Sequence, residues 1–281
     1  SKSLSYSENI DTIFEKHAMP YDMIPKLVEF CKEENILFMA SSFSVEDAKA
    51  INPFTKIHKV ASFEINHIKL LEFLATTKKP ILVSTGSSNY DEIDFCINIL
   101  KENGCDEIIL LQCTSKYPCS MESLNLSVIP KMKSKYNLPI GFSDHSTDPI
   151  IAPLVSIGLG ATVIEKHFTI DKNLPGPDHS FALTPDELKQ MIDSIRNAES
   201  AYGPGKKEIL QEELETRKFA KRSLQAITDI SKGDILELGL NFDILRPGDR
   251  IRGLDARFLF NINGKKSKLD IAKGDGINES E

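Results

Sequence analysis

Residues 139–167 read PIGFSDHSTDPIIAPLVSIGLGATVIEKH. Short strands are expected at 139–142 and 162–167, with a helix at 150–159 between them and Gly158 and Gly160 at its exit. Two such strands joined by an amphipathic helix are the repeating unit of a parallel sheet. Each strand runs into polar residues: Ser143, Asp144 and His145 after the first, Glu165, Lys166 and His167 at the end of the second. The second continues through a Gly/Pro turn to Asp178 and His179, which join Glu165, Lys166 and His167 as a set of five ionisable groups at the two ends of 165–179. A buried strand whose exit holds so much charge costs free energy unless the charges pair or bind something. One such end reads equally well as a solvated terminus. Two of the same form in succession point to a site.

The alternation extends in both directions. Strands are expected near 36, 57, 81, 108, 139 and 163, and helices at 23–33, 44–51, 65–75, 90–103, 125–136, 150–159 and 185–202. Ser44 is placed to cap the second helix, and Gly104 to stop the helix at 90–103. Pro130 should kink or restart 125–136, and Thr184, Pro185 and Glu187 spell a capping box. Six strands suit an open doubly wound sheet or part of an eight-stranded barrel. Ser41, Lys59 with Ser62, Ser84 with Thr85, Thr114 with Ser115, Ser143 with His145, and Glu165 with His167 all lie at C-terminal strand ends. A closed barrel gathers those ends at one mouth, whereas an open sheet focuses them only at its switch point. The expected fold is therefore α/β, a TIM-type (β/α)8 barrel over residues 1–202. A Gly/Pro-punctuated, charged linker at 203–217 should lead to a small, mostly β domain at 218–281. Its expected strands are SLQAI, DILEL, FDILRPGDRI and FLFNI.

Composition narrows the function. The 281 residues are 41% hydrophobic and 27% charged, ordinary values for a globular chain with a sizeable core. A net charge of −7 argues against a general nucleic-acid partner, although a few basic residues can still dominate a cleft. There is no apolar run of membrane-spanning length and no signal-peptide pattern, so no membrane partner is expected. Five cysteines, an odd number without CxxC spacing, suit buried thiols in a reduced, cytoplasmic setting.

Two sets of side chains carry chemistry. His145 and His167, at the mouths of neighbouring strands, can share one divalent cation such as manganese, zinc or iron(II), or can each be structural. Asp178 can add an oxygen donor or an acid/base group there, while Glu165 and Asp178 equally suit ion pairs with Lys166 and His179. Lys59, Ser62, Ser84 and Ser143 combine one cation with several hydroxyls, and Gly86 allows close backbone approach. That set suits a phosphate or carboxylate, although serines after strands also serve as helix caps.

GFSDHS, VIEKHFTIDKNLPGPDHSFALTPDEL and RPGDRI, with KVAS, LVSTG and CTSKYP in order, resemble the sialic acid synthase family. This family comprises N-acetylneuraminate, legionaminate and pseudaminate synthases, and the similarity runs from about Leu37 to near the C-terminus. The resemblance implies condensation of phosphoenolpyruvate with the open-chain aldehyde of an N-acylated mannosamine-type sugar, giving a nine-carbon α-keto acid and phosphate. It implies His145 and His167 as ligands of a divalent metal, manganese first and magnesium as another choice. Phosphoenolpyruvate contacts carry over to Ser41, Lys59, Ser62, Ser84 and Ser143, with Ser115 where the family has asparagine. Tyr117, Glu165 and Asp178 match the groups that act on the amino sugar, and Phe219 and Arg246 match further sugar contacts. In the family that arginine reaches the other subunit's site through a domain-swapped homodimer, and the small domain looks antifreeze-like (SAF). Two family segments, AEIGxNHxG and VKFQ, do not occur, so the barrel is expected to lack its first two strands. The competing expectations are a non-catalytic sugar-binding protein on a degenerate barrel and a metal-dependent aldolase.

Overall fold

The computed structural model describes residues 19–279. The chain divides into two units, Ser1–Gly203 and Pro204–Glu281. Five strands form the sheet of the first: His58–Val60 (β1), Ile81–Ser84 (β2), Ile108–Cys113 (β3), Ile140–Asp144 (β4) and Ile164–Lys166 (β5). All neighbours are parallel, and the spatial order β1-β2-β3-β4-β5 follows the sequence without reversal. A doubly wound sheet would reverse direction at a switch point, whereas a barrel wall winds in one sense.

The sheet is curled. In a flat sheet the edge strands β1 and β5 would be separated by four spacings, roughly 19 Å. Yet Lys59 Nζ on β1 stands 3.5 Å from Glu165 Oε2 on β5. The sheet is half a barrel, with its concave face turned toward these two side chains.

Strand alternation sorts the residues. On the helix-facing side Val60, Ile81, Val83, Ile108, Leu110, Ile140 and Phe142 join Leu70, Leu71, Leu74, Ile93, Cys96 and Leu100 in one buried core. Each large aliphatic side chain buried there contributes about 1.5–3 kcal/mol. The concave side carries Lys59, Ser84, Cys113, Ser143 and Glu165 instead. Gly141 on that side is obligatory, since a Cβ would stand 2.5 Å from Leu111 Cδ2 and 2.6 Å from the Val163 carbonyl oxygen.

The helices of this unit are Ile24–Glu33 (α1), Val45–Ile51 (α2), Ile68–Thr76 (α3), Tyr90–Glu102 (α4), Val128–Tyr136 (α5), Ile151–Gly158 (α6) and Pro185–Tyr202 (α7). Ser44 caps α2 through the Asp47 N–H, and Thr184 with Glu187 forms the reciprocal box on α7. Asn89 with Glu92 does the same on α4. Pro130 falls in the first turn of α5, where a missing N–H costs no helical hydrogen bond, so the helix starts at Val128 rather than 125. No helix among the described residues is long and apolar enough to cross a membrane.

The strand expected at 36–40 does not form. The chain turns at Asn35 (φ 55°) and meets β1 only at Ser41, which makes a single parallel bridge to Lys59. Before that point no neighbour among the described residues takes its backbone bonds in a ladder, and Ile36 and Leu37 are 60% and 67% exposed.

The second unit contains Leu214–Ala220 (α8), Ser223–Ala226 (β6), Phe242–Leu245 (β7) and Leu259–Ile262 (α9). Strands β6 and β7 pair antiparallel around a core that includes Leu224, Leu236, Phe242, Ile262 and Ile277. Part of the stretch read as linker is thus helical. FLFNI is helical too: the Asp255 side chain caps the turn before it, and Ile262 is buried while Phe260 is 91% exposed. DILEL contributes only isolated bridges, Ile235 to Lys266 and Leu238 to Phe242.

Candidate functional site

Lys59 is the centre of the first cluster. Its ammonium is nearly fully buried, donates to Ser84 Oγ at 2.9 Å and to the Val60 carbonyl at 3.1 Å, and pairs with Glu165. Ser84 Oγ in turn lies 3.4 Å from Glu165 Oε2. A buried ammonium needs such compensation, and the Glu165 side chain, 39% exposed, is the solvent-facing half of the pair.

Beside Lys59, the Gly86 N–H donates to Ser62 Oγ at 3.0 Å, and Ser62 Oγ contacts Cys113 Sγ at 3.6 Å. Gly86 has no room for a side chain: a Cβ would stand 2.2 Å from Ser115 Oγ and 2.9 Å from both Cys113 Sγ and Ser62 Oγ. Ser115 Oγ is buried without a hydrogen-bond partner among the described residues. Ser143 is buried in register with Cys113 on one side and Glu165 on the other. Lys59, Ser62, Ser84, Ser115 and Ser143 are therefore brought together, with Ser41 bridged to Lys59 at the rim.

The second cluster is built on the two histidines, whose ring centroids are 5.3 Å apart. His145 Nδ1 lies 2.9 Å from the Thr114 carbonyl. A carbonyl only accepts, so Nδ1 carries the proton and Nε2 of the neutral ring keeps its lone pair. His167 is placed in a related but looser way, with Asp178 Oδ2 3.5 Å from its Nδ1, an ion-pair contact rather than a close hydrogen bond. A histidine held at Nδ1 by an oxygen acceptor is the usual posture of a metal ligand. Among the described residues no group of three or more His, Cys, Asp and Glu side chains gathers as a metal cage. The pair thus fits an ion that takes two imidazoles and leaves its other positions to water or substrate oxygens.

Charge is distributed to match. Burial pushes the Cys113 thiol up, but hydrogen bonds from His145, Ser62 and Ser143 outweigh it and hold the thiol below its ordinary value. Burial also disfavours the charged form of His145, and the contacts with Cys113 and Thr114 overcome it, leaving the imidazole raised. The hydrogen bond from His167 holds the Asp178 carboxyl below the usual range against the opposing effect of burial. Tyr117 stacks on His145 at 4.1 Å, and burial, with the negative charges of Cys113, Asp178 and Glu165, pushes its hydroxyl up to about 12. It remains a neutral donor throughout the neutral range. Phe181 closes the group, 5.0 Å from the His167 ring and 5.7 Å from Tyr117.

Of the groups Glu165, Lys166, His167, Asp178 and His179, two have partners other than those expected from sequence. Lys166 binds Asp144, not Glu165 or Asp178, at 2.6 Å. Burial pulls its ammonium down from the ordinary lysine value, while Asp144 acts in the opposite sense. His179 Nδ1 lies 2.7 Å from Thr169 Oγ1 rather than against a carboxylate. Sequence reasoning also left Cys113 as a plain core thiol. Its period-two spacing along β3, on the face opposite Gln112 and two residues before Ser115, is the sequence sign that it faces the mouth. Phe219 and Arg246 belong to the second unit, where both are exposed.

The comparisons with known proteins agree with this geometry. The chain is 40% identical over 270 residues to a pseudaminic acid synthase of Campylobacter jejuni, covering 96% of this chain and 77% of the relative. It is 38% identical over 249 residues to an N,N'-diacetyllegionaminic acid synthase of the same organism, covering 87% and 74%. The crystal structure of an N-acetylneuraminic acid (sialic acid) synthetase from Leptospira borgpetersenii superposes with a TM-score of 0.70 at 34% identity, covering 75% of this chain and 74% of that one. The NeuB family model matches residues 1–207, which hold the whole curled sheet and both clusters at its mouth. This chain belongs to the NeuB family.

Proposed function

We propose that this protein is a nonulosonate synthase, condensing phosphoenolpyruvate with the open-chain aldehyde of an N-acylated mannosamine-type sugar. The observation that carries the reading is the side-by-side placement of a buried lysine with its serines and a pair of imidazoles, His145 and His167, on one concave face. The first suits a phosphate or carboxylate, the second an ion that activates a carbonyl.

In this reading Lys59 binds the anionic end of phosphoenolpyruvate with Ser84, Ser62, Ser143, Ser115 and Ser41, displacing Glu165 from its pairing. Glu165 is thereby released toward the sugar. A carbon–carbon bond forms between the enol carbon and the aldehyde carbon, and the aldehyde oxygen takes a proton. Water adds at the phosphate-bearing carbon, its oxygen remains there as the new ketone, and the carbon–oxygen bond to phosphate breaks. The ionised Asp178, oriented by His167, and the neutral Tyr117 hydroxyl are suited to hold the sugar hydroxyls and move these protons. Manganese or magnesium held by His145 and His167 would polarise the aldehyde. The second unit is read as an antifreeze-like domain, and Phe219 and Arg246 as sugar contacts delivered within a domain-swapped homodimer.

The test is phosphate release by the full chain with manganese. Release that requires both phosphoenolpyruvate and an N-acyl mannosamine supports the reading. Bound sugar recovered intact, with no phosphate formed, would replace it with a binding role.

A further inference from the structure

Asp144 and Lys166 are register partners on β4 and β5, one residue from His145 and His167 respectively. They face away from the mouth, because strand side chains alternate. Both are almost wholly buried, Lys166 at 3% and Asp144 at 0% side-chain exposure. The ammonium donates to Asp144 Oδ2 at 2.6 Å, to the Ser146 carbonyl, to Ser146 Oγ at 3.3 Å and to the Asp148 carbonyl at 3.3 Å. Asp144 Oδ1 accepts from the Ser146 N–H at 2.7 Å. One lysine from the His167 strand therefore grips the strand end and loop on both sides of His145.

A buried ion pair is a poor source of stability, since an apolar pair of similar volume is often as good or better. What it supplies is a fixed geometry. Neither group reaches the concave face, so neither can touch a substrate there. We propose that the Asp144–Lys166 pair is a positioning device, which sets the separation and tilt of the His145 and His167 rings for sharing one divalent cation. The proposal rests on the metal reading above.

The experiment titrates the metal-stripped full chain with manganese by calorimetry, beside a thermal melt. The double variant Lys166→Met with Asp144→Leu removes both charges and leaves no lone buried ion. It is expected to melt close to the native chain and to bind manganese roughly 10–100-fold more weakly, the usual cost of losing support behind metal ligands. Native affinity in the folded double variant would overturn the proposal while leaving the metal reading intact. A native chain that binds no manganese would overturn both. If the double variant does not fold, Asp144→Asn, which keeps volume and the acceptor for Ser146, serves in the same titration. Several-fold weaker binding supports the proposal, and unchanged binding overturns it.

Discussion

Lys59 Nζ and Glu165 Oε2 lie 3.5 Å apart although their strands are the two edges of a five-stranded sheet. The curl that brings them together also makes a mouth from strand ends far apart in sequence. Lys59 is the only one of the pair that is buried, so it cannot leave when a ligand arrives, and Glu165 can.

Replacing that lysine should therefore separate anion binding from folding. Lys59→Met keeps most of the length of the side chain and removes the charge. Losing a charge-assisted contact of this kind is worth roughly 10–100-fold in affinity. The KM for phosphoenolpyruvate should rise by that factor in steady-state phosphate release.

At Gly86 the constraint is steric. Three atoms from Ser62, Cys113 and Ser115 converge where a Cβ would sit, the nearest at 2.2 Å. Gly86→Ala should overpack the floor of the mouth and cost about 1–3 kcal/mol, measured by urea denaturation.

The acid side of the stability curve has an identifiable contributor. His58 is fully buried, and burial, with the neighbouring Lys79 charge, holds its imidazole down at about 4 against an ordinary 6.5. Between those values the unfolded chain takes up a proton that the folded chain refuses. Stability from this group is complete above pH 6.5 and falls as pH drops toward 4, by up to about 3 kcal/mol. Urea denaturation across that range should show the slope, and His58→Gln should flatten it.

The cap on α7 offers a local check. Thr184 Oγ1 accepts from the Glu187 N–H, and the Glu187 carboxylate accepts from the Thr184 N–H at 2.9 Å. Thr184→Ala should cost about 1 kcal/mol in the same denaturation experiment.

Much of this was legible in the sequence because it depends on local order. The strands at β1 to β5 announce themselves as short apolar runs, and Ser84, Ser143 and Glu165 sit at their ends by simple alternation. The capping boxes are readable for the same reason. What failed depends on neighbours. Residues 36–40 have a strand's composition, but among the described residues pairing with β1 begins only at Ser41, and composition does not report where a neighbour lies. FLFNI has β-like residues, yet its capped turn and the single buried Ile262 favour a helix. The partner of Lys166 required the register of β4 against β5, which sets Asp144 opposite it and leaves Glu165 for Lys59.

In the proposed reaction a carbon–carbon bond forms as water attacks the phosphate-bearing carbon of phosphoenolpyruvate. The full chain with phosphoenolpyruvate, an N-acyl mannosamine and manganese in oxygen-18 water, with phosphate and sugar acid read by mass spectrometry, shows this course in one measurement. One phosphate per nine-carbon acid is expected, none without the sugar, and no heavy oxygen in the phosphate. Heavy oxygen in the phosphate, or phosphate released without the sugar, would rule this course out.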